Sequence, residues 1–394
     1  MKVSLRAKIK DEKQRNDFYE VLKLICDQEK LQLEERGECV VVEICPQGMI
    51  ECREDEGSIR METHTSHAGP GFHAYCVNLM EWIDEECEAE CAVSDDCGYR
   101  EQPDFQHLKY DIFYPWLQDL KRLLLEEESM QRKNYYFDSS HYLPASHSDR
   151  IITPCGFLDR HEFEEMDIEQ LAPYFFVWIN EQRDAQYYKN CALHLLAKEG
   201  YGGFARMNEV SEKFASMIAD YIEIAHQKDP SITLPLHAYH ELCRLLGREE
   251  AVSEGVEMDE EISQYRHQEV YHLFHEWSLY ALGCCERSYD PVHDELYLIA
   301  PYADAGDGWE WMWKASCHSL EAASWAEVEE KGTHWQNETV KGIDLLTEQD
   351  DFYQLRSLLS CNQQRLYLEL IIKEEKDIAY LRSCVHQCQC NLHL

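Results

Sequence analysis

Polar and apolar residues alternate at the start of the chain. Val3, Leu5, Ala7 and Ile9 share one side of an extended segment, the period-two pattern of a half-buried strand. The period then lengthens: Phe18, Val21, Leu22 and Ile25 fall on one face of a helix over about 11–33, with Gly37 beyond its end. Strands are predicted over 39–44, 49–53 and 58–65, the first two joined at Gly48. A second helix carries Phe72, Cys76, Leu79, Met80 and Ile83 as one apolar stripe. Residues 85–104 read as an acidic, cysteine-bearing loop, and 107–127 as an amphipathic helix with Ile112, Trp116, Leu117, Leu120 and Leu124.

Between 134 and 165 the periodicity fades and Ser, His, Pro and Asp become frequent, as in a connection between domains. The middle is helical: 184–198, 208–228 (ended by Asp229-Pro230) and 236–246 (ended by Gly247). Tyr221-x3-Ala225-x3-Asp229-Pro230 is similar to the closing turn of a tetratricopeptide helix, but no repeat of about 34 residues accompanies it, so a solenoid is not expected. Beyond Gly255, 269–274 and 277–283 read as strands. A helix is the alternative there, because Val270, Phe274, Trp277 and Ala281 also fit a period of 3.6. A strand over 295–300 follows, then Trp309, Trp311 and Trp313 alternating with Glu310, Met312 and Lys314. A helix over 319–331, a hairpin of 352–359 with 366–372, and a helix over 374–387 complete the pattern. The fold class is α+β: an N-terminal α/β sandwich-like domain (1–133), a linker (134–165), a helical domain (166–254) and a C-terminal antiparallel sheet with packed helices (255–394).

Charge narrows the partners. Against 37 Lys+Arg stand 76 Asp+Glu, a formal net of -39. Such a surface repels phosphate backbones and anionic lipid heads, so neither nucleic acid nor membrane is expected, and a basic protein partner is. The opening MKVSLRAKIKDEK lacks a signal-peptide core and no long apolar run occurs, so a cytoplasmic location is expected. The 18 cysteines, among them the adjacent Cys284 and Cys285, are scattered through a long chain and read as reduced, buried thiols rather than a disulfide framework.

The aromatic run Tyr174-Phe175-Phe176-Val177-Trp178, the Asp229-Pro230 helix end and the closing hairpin-plus-helix resemble bacterial cytosolic proteins of unassigned function. The final layout, two long strands and then a helix that begins at acidic residues, is similar to the end of Mog1/PsbP-type α+β domains. The resemblance implies a bacterial origin and an antiparallel C-terminal sheet. It carries no catalytic residue over.

The sharpest local feature is His64-Thr65-Ser66-His67-Ala68-Gly69-Pro70-Gly71-Phe72-His73, between a predicted strand and a predicted helix. Gly69 and Gly71 let backbone N–H groups approach a ligand at a helix N-terminus, and His64, His67 and His73 offer metal ligands or proton-transfer groups. The same Gly-Pro-Gly also suits a plain tight turn, and neither a Walker loop nor a dinucleotide fingerprint is present. At the other end, Cys384, Cys388, Cys390 and His393 are soft ligands for a zinc ion, in a spacing unlike the usual Cys-x2-Cys pairs. Cys87, Cys91 and Cys97, beside Asp95 and Asp96, form a weaker cluster. His237 with His240, and His272 with His275, sit three apart, so on a helix each pair can share a metal. The three tryptophans suit either a stacking platform or a sheet core. Asp304 and Asp307 do not reproduce a calcium loop, no Gly-x-Ser-x-Gly elbow occurs, and a Cys–His dyad carries no information among so many candidates.

The expected function is a non-catalytic, acidic interaction or regulatory protein, an adaptor in a multi-protein system such as defence or toxin control. The alternative is a ligand- or metal-dependent enzyme or sensor built on the 64–73 segment.

Overall fold

The computed structural model describes residues 1–37, 39–126, 150–153, 155–197, 209–259, 268–283, 285–301, 309–317 and 322–390. The opening alternation forms β1 (Lys2–Lys8), and Asp11 starts α1 (Glu12–Glu29) by accepting the Gln14 amide N–H on its side chain. Strands β2 (Gln32–Arg36), β3 (Cys39–Cys45), β4 (Gly48–Asp55) and β5 (Ser58–His64) follow, then α2 (Pro70–Glu86) and β6 (Glu90–Asp95). They make one antiparallel sheet in the order β2-β3-β4-β5-β1-β6. Register aligns the apolar positions on one face: Leu5 lies opposite both Met61 and Val93, and Val42 opposite Ile50. Phe18, Leu22 and Ile25 of α1, with Phe72, Cys76 and Met80 of α2, cover that face.

Two of these strands depart from the sequence expectation. The first helix stops at Glu29 because Lys30 turns left-handed (φ 56°), and β2 takes up residues expected in the helix. β6 lies inside the expected acidic loop. Both are sheet edges: β2 is exposed along nearly its whole length, and Val93 is the one fully buried residue of β6. Without a continuous buried face there is no alternation to detect.

The expected 107–127 helix is there, but its first part, His107–Phe113, winds as a π-helix before α3 (Tyr114–Glu126). Part of the expected linker is structured. β7 (Arg150–Thr153) and β8 (Gly156–Asp159) form a hairpin leading into α4 (Arg160–Glu165) and α5 (Ile168–Phe175). Ile151, Leu158, Phe163 and Phe175 pack with Phe113 and Leu117. Residues 127–149 lie outside the described residues.

Next come α6 (Ala185–Leu195), α7 (Glu209–Lys228), the short strand β9 (Thr233–Leu234), α8 (Leu236–Leu246) and the short strand β10 (Val256–Glu257). Small residues (Ala192, Ala215, Ala219) let α6 and α7 approach closely. This helical middle is fused to the front sheet: Val177, Trp178, Tyr187 and Cys191 belong to the same buried cluster as the sheet and its helices. The Arg183 guanidinium sits 4.9 Å from the ring centre of Tyr75 on α2 and 4.7 Å from that of Trp178, a cation–π seam between the two.

The C-terminal part is strand-rich, and the strand reading of 269–283 is the one the structure adopts. β11 (Glu269–Phe274) and β12 (Trp277–Leu282) form a hairpin. β13 (Glu286–Asp290), β14 (Glu295–Pro301) and β15 (Trp309–Ser316) follow, then α9 (Ala322–Lys331). β16 (Thr333–Gln336), β17 (Lys341–Glu348), β18 (Tyr353–Cys361) and β19 (Gln364–Ile372) come next, and α10 (Ile378–Gln387) and β20 (Gln389–Cys390) close the unit. Seven strands form an antiparallel sheet in the order β13-β14-β15-β19-β18-β17-β16, and β20 pairs onto β12. Leu366, Leu368, Leu370 and Ile372 of β19, with Trp311 and Trp313 of β15, face α10 and the β11–β12 hairpin in one core. That core shares no residue with the three clusters of the front and middle. Among the described residues, no helix is long and apolar enough to cross a membrane.

Candidate functional site

The 64–73 segment joins β5 to α2. Thr65 closes its turn by accepting the N–H groups of Ala68 (3.2 Å) and Gly69 (3.1 Å) on its carbonyl. Gly69 has φ 106°, open to glycine, and Pro70 occupies the first helical position, where its missing N–H costs nothing. What approaches the glycines is protein. Gly71 N donates to the Trp178 carbonyl (3.0 Å) and Trp178 N to the Ala68 carbonyl (2.9 Å). A Cβ on Gly69 would stand 2.4 Å from that same Trp178 oxygen; one on Gly71 would stand 2.0 Å from Trp178 Cδ1 and 2.4 Å from the Asn180 carbonyl. The two glycines therefore let the helix N-terminus dock on residues 176–180.

The three histidines of the segment divide. His64 and His67 are exposed. The His67 ring lies 6.5 Å from that of Trp116, and partial desolvation together with neighbouring His64 lowers its pKa. His73 is fully buried. Its Nε2 donates to Asp95 Oδ1 (2.8 Å), which leaves Nδ1 to accept from the Thr65 hydroxyl (2.8 Å), the tautomer the network selects. Asp95 also accepts the Cys97 N–H on Oδ1 (2.8 Å) and the Arg100 N–H on Oδ2 (3.1 Å). Burial pushes the Asp95 carboxyl up, but the hydrogen bonds from His73 and the two amides outweigh it and bring it down to about 2. Thr65 and Asp95 stand at the ends of β5 and β6 and His73 on α2, so three elements are tied together by one buried chain of hydrogen bonds.

This arrangement has the composition of a hydroxyl–imidazole–carboxylate relay. Thr65, His73 and the Asp95 side chain are all inaccessible, so the chain acts on the fold and not on solvent. The second chemistry open to it is metal binding. The ligand atoms of His73, Asp95 and Cys97 lie within 4.8 Å of one another, the one such group of three among the described residues. The Thr65 hydroxyl on Nδ1 would orient the imidazole, as outer-shell partners of metal-bound histidines do. The Cys97 thiol donates to Asp96 Oδ1 (3.2 Å); burial and that carboxylate hold it protonated, so a metal would have to displace the proton. Asp95 and Cys97 stood in the sequence as part of the weaker cysteine cluster. Their partnership with His73 was not visible, because it spans 22 positions and depends on how β6 pairs with β1.

The other candidates fall apart spatially. Cys384, Cys388 and Cys390 are all buried in the C-terminal core, but their sulfurs do not gather as a group of ligands. Cys390 is held in β20 against Trp277, while the Cys388 thiol donates to the Cys384 carbonyl (3.6 Å). Burial pushes Cys384 up to about 11 and Cys388 to about 12, the behaviour of small apolar side chains. His393 lies outside the described residues. Burial also raises Cys87 and brings Cys91 to about 12. His272 sits in a strand, not a helix, so its spacing from His275 aims the pair apart: His272 Nε2 meets the Leu282 carbonyl (3.1 Å) and His275 Nε2 meets Asp294 (2.7 Å). His237 and His240 do share a helix, and His240 pairs with Glu250 (3.0 Å). Trp311 and Trp313 are core residues.

Compared with protein-family models, with curated proteins and with solved structures, the chain matches none.

Proposed function

We propose that this protein is a non-catalytic, acidic regulatory protein that binds a basic protein partner within a bacterial multi-protein system. The surplus of acid carries the reading: 76 Asp+Glu against 37 Lys+Arg, with many of the cations already tied to acids of the same chain. Lys8 pairs with Glu90, Lys13 with Glu88, Arg15 with Glu54, and Arg36 with both Glu34 and Glu43. Cations spent internally leave the outward field negative, which draws basic surfaces and repels polyanions. The exposed edge strand β2, with Glu34 and Glu35 side by side, is one place where that field meets unpaired backbone groups. The test is capture of partners from the native host on the full chain. A basic protein at near-stoichiometric level, released as salt rises and weakened by Glu34→Lys with Glu35→Lys, is the expected result. Recovery of no such partner, or of one indifferent to salt and to both substitutions, sinks the reading.

The His73, Asp95 and Cys97 group favours a second reading, a metal-dependent sensor. Elemental analysis after dialysis against zinc would show about one equivalent bound, lost in His73→Ala and in Cys97→Ser. No bound metal in the unaltered chain ends it.

A further inference from the structure

Lys189 is the one cation in α6, and the fold buries it: only 9 % of its surface is exposed. Its ammonium donates to the Thr233 hydroxyl (2.7 Å) and makes no ion pair among the described residues. A buried ammonium with one neutral acceptor is costly unless something anionic completes its shell. Around it is a cavity of about 300 Å³, at the lower end of the range for small-molecule sites and equal to roughly ten waters.

The walls are fixed. Asn190 is fully buried and donates to the carbonyls of Pro173 (2.8 Å) and Phe176 (2.6 Å), while Gln186 donates to the Asn190 carbonyl oxygen (2.7 Å). Pro173, Tyr174, Leu193 and Met258 supply apolar lining. At the rim stand two acids, Glu257 and Asp259. Glu257 is held in place by accepting the Leu236 N–H (3.0 Å). β9 and β10 pair in parallel with Thr233 opposite Val256 and Leu234 opposite Glu257, so the Thr233 hydroxyl and the Glu257 carboxylate leave neighbouring strands one residue apart. The cavity thus offers a positive group inside, a negative pair outside and an apolar wall between.

We infer that this cavity binds a free α-amino acid with an uncharged side chain. Its carboxylate meets Lys189 and Thr233, its ammonium meets Glu257 and Asp259, and its side chain lies against Leu193 and Met258. A single anion would satisfy Lys189 but leave the acid pair facing it. A zwitterion of this size complements both ends, and ligand binding gives a regulatory protein something to report.

The experiment is thermal melting of the full chain with each standard L-amino acid at millimolar concentration, then calorimetry on the best one beside its des-amino acid and its decarboxylated amine. A rise in melting temperature is expected with at least one uncharged amino acid. Removing either charged group weakens binding by roughly tenfold or more. Lys189→Met abolishes the shift. Glu257→Gln keeps the Leu236 bond through its amide oxygen, so it folds, but it binds the des-amino acid and the amino acid alike. The inference is overturned if no amino acid shifts the melting of the unaltered chain, if the des-amino acid binds as tightly as the amino acid, or if Glu257→Gln leaves the discrimination intact. Should Lys189→Met fail to fold, Glu257→Gln alone decides.

Discussion

The front sheet and the C-terminal sheet are built to one plan and stabilised in different ways. Each is antiparallel, and each covers one face with helices. The C-terminal core is dry: Leu366, Leu368, Leu370 and Ile372 run along β19 under Trp277 and Trp313, and both indole N–H groups lack a hydrogen-bond partner. Its polar chain, in which Asp344 accepts from Trp335 Nε1 (2.7 Å) and His386 Nε2 (2.6 Å), involves two half-exposed partners. The front core instead carries the Thr65–His73–Asp95 chain at its centre and glycine contacts to its neighbour. Apolar area tolerates some sliding, whereas buried hydrogen bonds fix one geometry and lose much when one member goes. The front is therefore the more specified half and the one whose stability responds to acid.

The largest effect should come from the dry core. Trp313→Ala should cost about 4 kcal/mol, the usual loss for an emptied tryptophan site. Because that core shares no residue with the others, denaturation followed by separate probes should show only the C-terminal transition moving. A single transition moving as a whole would break the distinction between the halves. Next, His73→Ala should cost about 3 kcal/mol, since it strands the buried Asp95 carboxylate. This time the front and middle should move and the C-terminal transition stay.

Acid probes the same chain without mutation. The Asp95 carboxyl is held at about 2 against an ordinary 3.8, so its contribution is complete above pH 4 or so and is lost as pH falls toward 2. The amount is about 2 kcal/mol, and Asp95→Asn should remove that acid dependence from the front transition alone. Gly71→Ala should also cost about 2 kcal/mol by pushing α2 off residues 176–180, loosening front and middle together. The smallest effect is Trp313→Phe, within about 1 kcal/mol, because the lost area is offset by removing an unsatisfied N–H. A large loss there would mean that the indole does have a partner.

Where the sequence was legible, one side of an element was continuously buried. Val3, Leu5 and Ala7 announced β1, and Ile378, Leu381 and Val385 announced the last helix. β2 and β6 escaped because an edge strand with few buried positions has no period. The hairpin at 150–159 escaped because each of its strands is four residues long. At the site, the glycines were rightly read as places of close backbone approach, but a local segment cannot say that Trp178 is what approaches. His73 differs from His64 and His67 only through tertiary burial. Lys189, between Tyr188 and Asn190, carries a faint signal: a lone cation on a helix otherwise full of apolar and small residues.

The pairing of β20 with β12 has a consequence in time. Trp277 receives Cys390 as its strand neighbour, and Gln389 reaches back to the Tyr271 hydroxyl 118 residues earlier. During synthesis the front and middle can close their cores while the β11–β12 hairpin still waits, one side of Trp277 bare, for a segment the ribosome has yet to release. Such distant closure is slow and leaves strand edges open to the wrong neighbour. The vulnerable interval in this protein's life is thus late in translation, and chaperone dependence should concentrate on the last third of the chain.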